Sequence, residues 1–166
     1  MSRAASLYFA PLQLIEFTRF YADEVAGGKY PDIDYDEEQR WHQRIYRDRR
    51  VDVWLIGWLP SQGTQLHDHG GSAGAFSVLS GELTEAVVGG GRLHDHRRRP
   101  DQSIGFGPRY VHDVRNLSDA PAVSVHAYSP PLTTMTYYDF AGGRLEAMRS
   151  VATHDPEPGF EGRRAS

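Results

Sequence analysis

From Trp41 onward the chain alternates apolar and polar side chains in short runs, a pattern the first forty residues lack. Trp41, Gln43, Ile45 and Arg47 fall on one side of an extended segment, with His42, Arg44 and Tyr46 on the other, which is the period-two alternation of a strand. Further runs follow at Val51 to Trp58, through His67 and His69, and at Ala75 to Leu79 and Leu83 to Val88. Others lie at Ser103 to Phe106, Val111 to Val114, Ala122 to Tyr128 and Thr133 to Phe140. Turn-forming residues separate them: Asp48-Arg49-Arg50, Pro60 to Gly63, Ser80-Gly81, Gly89-Gly90-Gly91 and Gly107-Pro108. Many short strands with regular turns predict a mainly β protein, a small antiparallel barrel or sandwich.

The preceding segment reads differently. Pro11 suits the first turn of a helix, Leu12, Ile15, Phe20 and Val25 fall roughly on one face, and Gly27-Gly28 ends it. An acidic linker from Asp32 to Glu38 joins this helix to the strands. The expected organisation is one domain: residues 1–40 as a helical extension, loose over 1–9; residues 41–152 as the barrel; and residues 153–166 as a disordered tail rich in Pro, Gly, Glu and Arg.

Charge and composition narrow the partners. With 18 basic and 22 acidic residues the formal charge is −4, which gives no general attraction to nucleic acid or an anionic membrane. No apolar run suits a leader or a membrane span, so a cytoplasmic protein is expected, and a monomer. Cysteine is absent, which excludes disulfides, thiolate ligands and a cysteine nucleophile.

The chemistry gathers in Gln65-Leu66-His67-Asp68-His69-Gly70-Gly71. Histidines at i and i+2 on an extended segment point to the same side, so both imidazoles can reach one metal ion. A third ligand is expected on a strand partner, at His112. The tripeptide recurs as His94-Asp95-His96, but Arg97, Arg98 and Arg99 follow it, and three cations oppose a bound cation. Pro100 breaks a strand there, so this second pair reads as an exposed loop.

Three separated motifs agree with one family. His67-x-His69, Gly81 and His112-x-x-x-Asn116 resemble the paired motifs of cupins, while Gly74 stands where a cupin places its glutamate ligand. Ser124-Val125-His126-Ala127-Tyr128-Ser129-Pro130-Pro131 resembles the Ser-x-His-x-Tyr-Ser-Pro-Pro signature of the cysteine dioxygenase type I family. The resemblance covers roughly residues 41–140. It implies a cupin barrel holding Fe(II) on His67, His69 and His112, with a small thiol and O2 as substrates and a sulfinic acid as product. Ser124, His126 and Tyr128, at i, i+2 and i+4 on one strand face, would orient the Tyr128 hydroxyl toward substrate or oxygen. Animal members cross-link this tyrosine to a cysteine at the position of Gly74, which this chain cannot do.

Other readings stay open. A non-catalytic metal-binding cupin would not need the Ser124–His126–Tyr128 strand, nor would a zinc hydrolase, although three histidines also suit catalytic zinc. Asp68, Asp113 and Asn116 either bond to ligand imidazoles or fix turns, and Trp54, Trp58, Phe76 and Leu79 read as core. The family holds the substrate carboxylate with an early-strand residue in the setting aromatic-x-Arg or aromatic-x-Gln. Strict spacing from Trp41 selects Gln43, and a shift of one residue selects Arg44. L-cysteine is the first expectation for substrate and 3-mercaptopropionate the second.

Overall fold

The computed structural model describes residues 7–156. A helix, α1 (Pro11–Ala26), precedes ten strands: β1 (Trp41–Arg47), β2 (Asp52–Trp58), β3 (Ala73–Ser80), β4 (Leu83–Gly89), β5 (Arg92–Arg98), β6 (Ser103–Phe106), β7 (His112–Arg115), β8 (Ala122–Ser129), β9 (Thr134–Ala141) and β10 (Arg144–Ala152). All pairings are antiparallel. The strands form a five-stranded sheet in the order β1-β2-β8-β3-β6, a three-stranded sheet β5-β4-β7 and a two-stranded sheet β10-β9.

Two apolar layers result from the alternation. Trp54, Ile56, Trp58, Phe76, Val78, Leu83, Phe106, Val114, Tyr128 and Met135 fill the barrel interior. The opposite face of the large sheet, with Val53, Leu55, Ala75, Val125 and Ala127, packs against α1. Strands β2 and β8 are buried along their whole length because both of their faces are covered.

The helix lies where the sequence predicts it, but with another face inward. Leu14, Thr18 and Ala22 are buried, whereas Leu12 and Phe20 are exposed. Small residues at i+4 and i+8 let the helix approach the sheet, and the Thr18 hydroxyl meets Ser77 Oγ at 2.7 Å. A β-bulge between Arg44 and Tyr46 resets the faces of β1, so that Tyr46 packs on Tyr21 of α1.

Three further differences from the sequence pattern have local causes. The second histidine pair lies on β5, not in a loop: Gly90 and Gly91 close a hairpin that pairs β5 with β4, and Pro100 follows its end. His94 and His96 are nevertheless exposed. Residues 65–69 are held by bridges from His67 to His112 and to Tyr137, not by a regular strand. Strand β10, which pairs with β9 through Ala152, has no counterpart in the alternation pattern. Of the segments expected to be loose, residues 1–6 and 157–166 lie outside the described residues; Thr153 and Pro156 are buried.

Candidate metal centre

His67 and His112 exchange backbone hydrogen bonds of 3.0 and 3.1 Å, which sets the two residues opposite each other. His69, two residues on, faces the same interior. The three imidazoles are buried, with ring centroids 4.9, 4.9 and 5.0 Å apart. One nitrogen from each lies within 4.8 Å of the others. Among the described residues this is the group of histidine and acidic side chains close enough to hold one ion.

The hydrogen bonds choose the tautomers. His67 Nδ1 donates to the Gln65 carbonyl at 2.6 Å, and His112 Nδ1 donates to Glu85 Oε1 at 2.8 Å. Each ring therefore keeps its Nε2 lone pair for the interior. His69 has neither nitrogen hydrogen-bonded, although both are buried. Burying such a group without a partner costs about 1–3 kcal/mol, and a bound cation removes that cost. Burial first, then the neighbouring imidazoles, holds His67 and His69 well below the usual histidine pKa, so both are neutral ligands at pH 7. The residues fit a metal ion with three neutral nitrogen ligands.

Gly74 has no room for a fourth protein ligand. A Cβ there would come within 2.4 Å of Phe106, which packs on His69 at 4.7 Å between ring centroids. Asp68, Asp113 and Asn116 all fix turns. Asp68 clamps the histidine segment to β9 by accepting from the backbone N–H groups of Gly70 and Thr136 and from the Tyr138 hydroxyl. Asp113 accepts from Thr64 and Arg115. Asn116 bonds to the carbonyls of Trp58 and Ala120.

Beside the imidazoles runs a chain of hydrogen bonds along β8. The Trp58 indole N–H donates to Ser124 Oγ at 2.8 Å, Ser124 Oγ lies 2.8 Å from His126 Nε2, and His126 Nδ1 lies 3.4 Å from the Tyr128 hydroxyl. The indole N–H can only donate, so Ser124 Oγ accepts from it, and the direction of the next two bonds follows the His126 tautomer. Burial lowers the His126 pKa to about 3, with His112 and Arg40 adding to it, so the ring is neutral and carries a single N–H. The Tyr128 hydroxyl ends the chain. Its ring stacks on His69 at 5.2 Å, beside the ligands, and Phe76 stacks on His126 at 5.2 Å. Burial, then the charge of Asp52, keeps the phenol protonated by raising its pKa, against a lowering by Arg40.

A small cavity of about 10 Å³, the room one water needs, is lined by Arg40, Trp58, His67, His112, His126 and Tyr128. Neither Gln43 nor Arg44 lines it. Gln43 has the parity of Trp41 and Ile45, which pack toward α1. Arg44 has interior parity but is exposed, with its guanidinium 5.4 Å from the Trp54 ring centre. The cation at the cavity is Arg40, one residue before β1, buried with its guanidinium 4.7 Å from the Trp58 ring centre. Burial lowers its pKa to about 9, against a rise from Tyr137, Tyr128 and Asp113, so it remains charged at pH 7.

Sequence reasoning therefore missed Arg40, Trp58 and Glu85. Only Glu85 left a signal, an acid with the inward parity of Leu83 and Val87. It is fully buried and accepts from His112, Tyr110 and Arg98. Burial would raise its pKa, but those hydrogen bonds, the one from His112 first, outweigh it and bring the value down to about 2.

Packed antiparallel sheets with three histidines converging between them define a metal-binding protein of the cupin, or double-stranded β-helix, class. Solved structures agree on the fold. A protein of Thermus thermophilus superposes with a TM-score of 0.52 at 25% identity, covering 58% of this chain and 88% of that one. An uncharacterised double-stranded β-helix protein of Klebsiella pneumoniae gives 0.51 at 14% identity, covering 70% and 90%. Residues 20–141 match the family model for cysteine dioxygenase type I, and the chain belongs to that family. The cysteine dioxygenase type 1 of Danio rerio is 29% identical over 118 residues, 60% of this chain and 55% of the relative. This chain thus spans about half the length of that relative.

Proposed function

We propose that the protein is an Fe(II)-dependent thiol dioxygenase that converts L-cysteine and O2 to cysteine sulfinate, acting as a cytoplasmic monomer. The observation that carries this reading is a single interior site that combines three imidazoles, a phenol at the end of a hydrogen-bonded chain, and a buried guanidinium. A hydrolase or a storage site has no use for the second and third. His67, His69 and His112 would hold the ion, which when bound supplies the redox chemistry joining O2 to a thiolate sulfur. Both oxygen atoms end on sulfur, so the thiol loses four electrons, O2 gains four, and no further reductant is needed.

The remaining work belongs to the protein. Arg40 grips the substrate carboxylate by charge-assisted hydrogen bonds, in place of Gln43 or Arg44. Tyr128 donates a hydrogen bond to the substrate or to oxygen, while Trp58, Ser124 and His126 keep that donor pointed inward. One observation favours 3-mercaptopropionate as the alternative substrate: among the described residues, no Asp or Glu lines the cavity to pair with an ammonium. The carboxylate grip is common to both thiols.

Oxygen uptake and sulfinate formation by Fe(II)-reconstituted protein, measured over a panel of thiols, test the proposal. Carboxylate-bearing thiols should be turned over, Arg40→Ala should raise their KM at least roughly tenfold, the loss of one charge-assisted grip, and Arg44→Ala should leave it nearly unchanged. Tyr128→Phe should slow turnover or uncouple oxygen uptake from sulfinate with little change in Tm. Iron-loaded protein that consumes no oxygen with any thiol would make it a non-catalytic cupin.

A further inference from the structure

The ligand set carries no charge, yet a carboxylate stands immediately behind it. Glu85 Oε1 accepts from His112 Nδ1 and from the Tyr110 hydroxyl, each at 2.8 Å. Its Oε2 accepts from Arg98 Nε at 2.9 Å and Nη2 at 2.7 Å. The acid has no solvent exposure, and its two oxygens divide their work: one holds a ligand, the other is held by a cation from β5. A buried carboxylate serving only as a strut between β4 and β5 would need Arg98 alone.

Resting on the metal-site reading above, we propose that Glu85 is a positioning residue of the metal centre, supplying through His112 the negative charge that Gly74 cannot supply directly. Its hydrogen bond fixes the His112 ring with Nε2 inward. A carboxylate on Nδ1–H also makes Nε2 a stronger donor, and partners of this kind typically change metal affinity by roughly 10–100-fold. Arg98 opposes that effect. By drawing charge to Oε2 it limits how far Glu85 polarises the imidazole, and so sets the donor strength of His112. Arg98 belongs to the run of arginines that repels a cation at His94 and His96; through Glu85 it also reaches the site that does bind one.

The test is equilibrium binding of Co(II), an oxygen-stable divalent probe, by competition with a chromophoric chelator, alongside thermal melts of the metal-free proteins. Glu85→Gln keeps an acceptor for His112 but removes the charge, and should weaken Co(II) binding at least roughly tenfold. Arg98→Gln breaks the same ion pair but leaves the charge on Glu85, and should bind Co(II) as tightly as wild type or more tightly. The double variant leaves no unpaired buried guanidinium and should be as weak as Glu85→Gln, so it carries the comparison should that single variant fail to fold. Binding by the double variant within about twofold of wild type, far short of the loss such a partner's removal brings, would overturn the proposal. So would equal weakening by Arg98→Gln and Glu85→Gln, the result for a mere strut. A wild type that takes up no Co(II) would refute the metal centre itself, and this role with it, whereas a wild type that binds metal but oxidises no thiol would leave the role of Glu85 standing.

Discussion

Asp52→Asn should make the protein more stable at neutral pH, by an amount that depends on pH in a set direction. Asp52 opens β2 with no exposed surface, and its Oδ2 accepts from the Trp54 indole N–H at 3.1 Å. Burial raises its pKa from 3.8 to about 6, only partly offset by Trp54, the Leu132 backbone, Arg47 and Arg44. The folded protein therefore holds this proton more tightly than the unfolded chain. The stability contributed by the acid form is fully present below pH 3.8 and is lost as pH rises through about 6. At 1.36 kcal/mol per pH unit the full cost of the buried carboxylate at pH 8 is about 3 kcal/mol, of which about 2 kcal/mol develops between about pH 4.5 and 8. An asparagine side chain cannot ionise, so the stability difference between variant and wild type should grow by that amount across the window. Urea denaturation of the metal-free proteins at several pH values measures it, and taking the difference cancels the other titrating groups. A difference flat to within about 0.5 kcal/mol would show that Asp52 is not a buried ionised acid, and would undo the reasoning.

Other substitutions test separate parts of the site. Trp58→Phe removes the donor that heads the Ser124–His126–Tyr128 chain, and should lower turnover with about 1 kcal/mol lost in stability; kcat should fall more than KM rises, as read from steady-state kinetics. Gly74→Ala forces a methyl group to within 2.4 Å of Phe106 and should cost roughly 1–3 kcal/mol in a urea melt, with metal content reduced because Phe106 bears on His69. Alanine at both His94 and His96 should leave bound metal unchanged by elemental analysis, whereas alanine at His67, His69 or His112 should strip most of it.

Legibility in the sequence followed spacing. The groups His67/His69 and Ser124/His126/Tyr128 are each spaced by two residues on extended chain, so alternation alone sets each group on one face, and the structure brings His67, His126 and Tyr128 to one cavity. The helix was legible from its termini, Pro11 and Gly27, but not from its buried stripe, since its contact depends on small residues meeting a sheet at close range. Strand β10 was hidden because Arg144-Leu145-Glu146-Ala147-Met148-Arg149 is composed of helix formers; the register with β9 overrides that propensity. Arg40 lies just outside the alternating run, so alternation assigns it to neither face.

The candidate carboxylate grip shows what spacing cannot supply. Gln43 was selected by counting from an aromatic residue, but Trp41 belongs to the helix side of β1, so any residue two further on inherits that side. The interior side holds Arg40, His42 and Arg44, of which the first lies at the metal cavity and the last has its guanidinium on Trp54. Which of two arginines on one face reaches a site depends on the twist of the strand and on the bulge after Arg44, and neither is written in a period of two. Glu85 teaches the complementary point. Its inward parity was visible, but a buried carboxylate is tolerable only with donors arriving from other strands, and Tyr110, His112 and Arg98 come from sequence distances of 25, 27 and 13 residues. The ligands of such a site can be read from local chain, while the groups that set their charge are assembled only by the closure of the barrel.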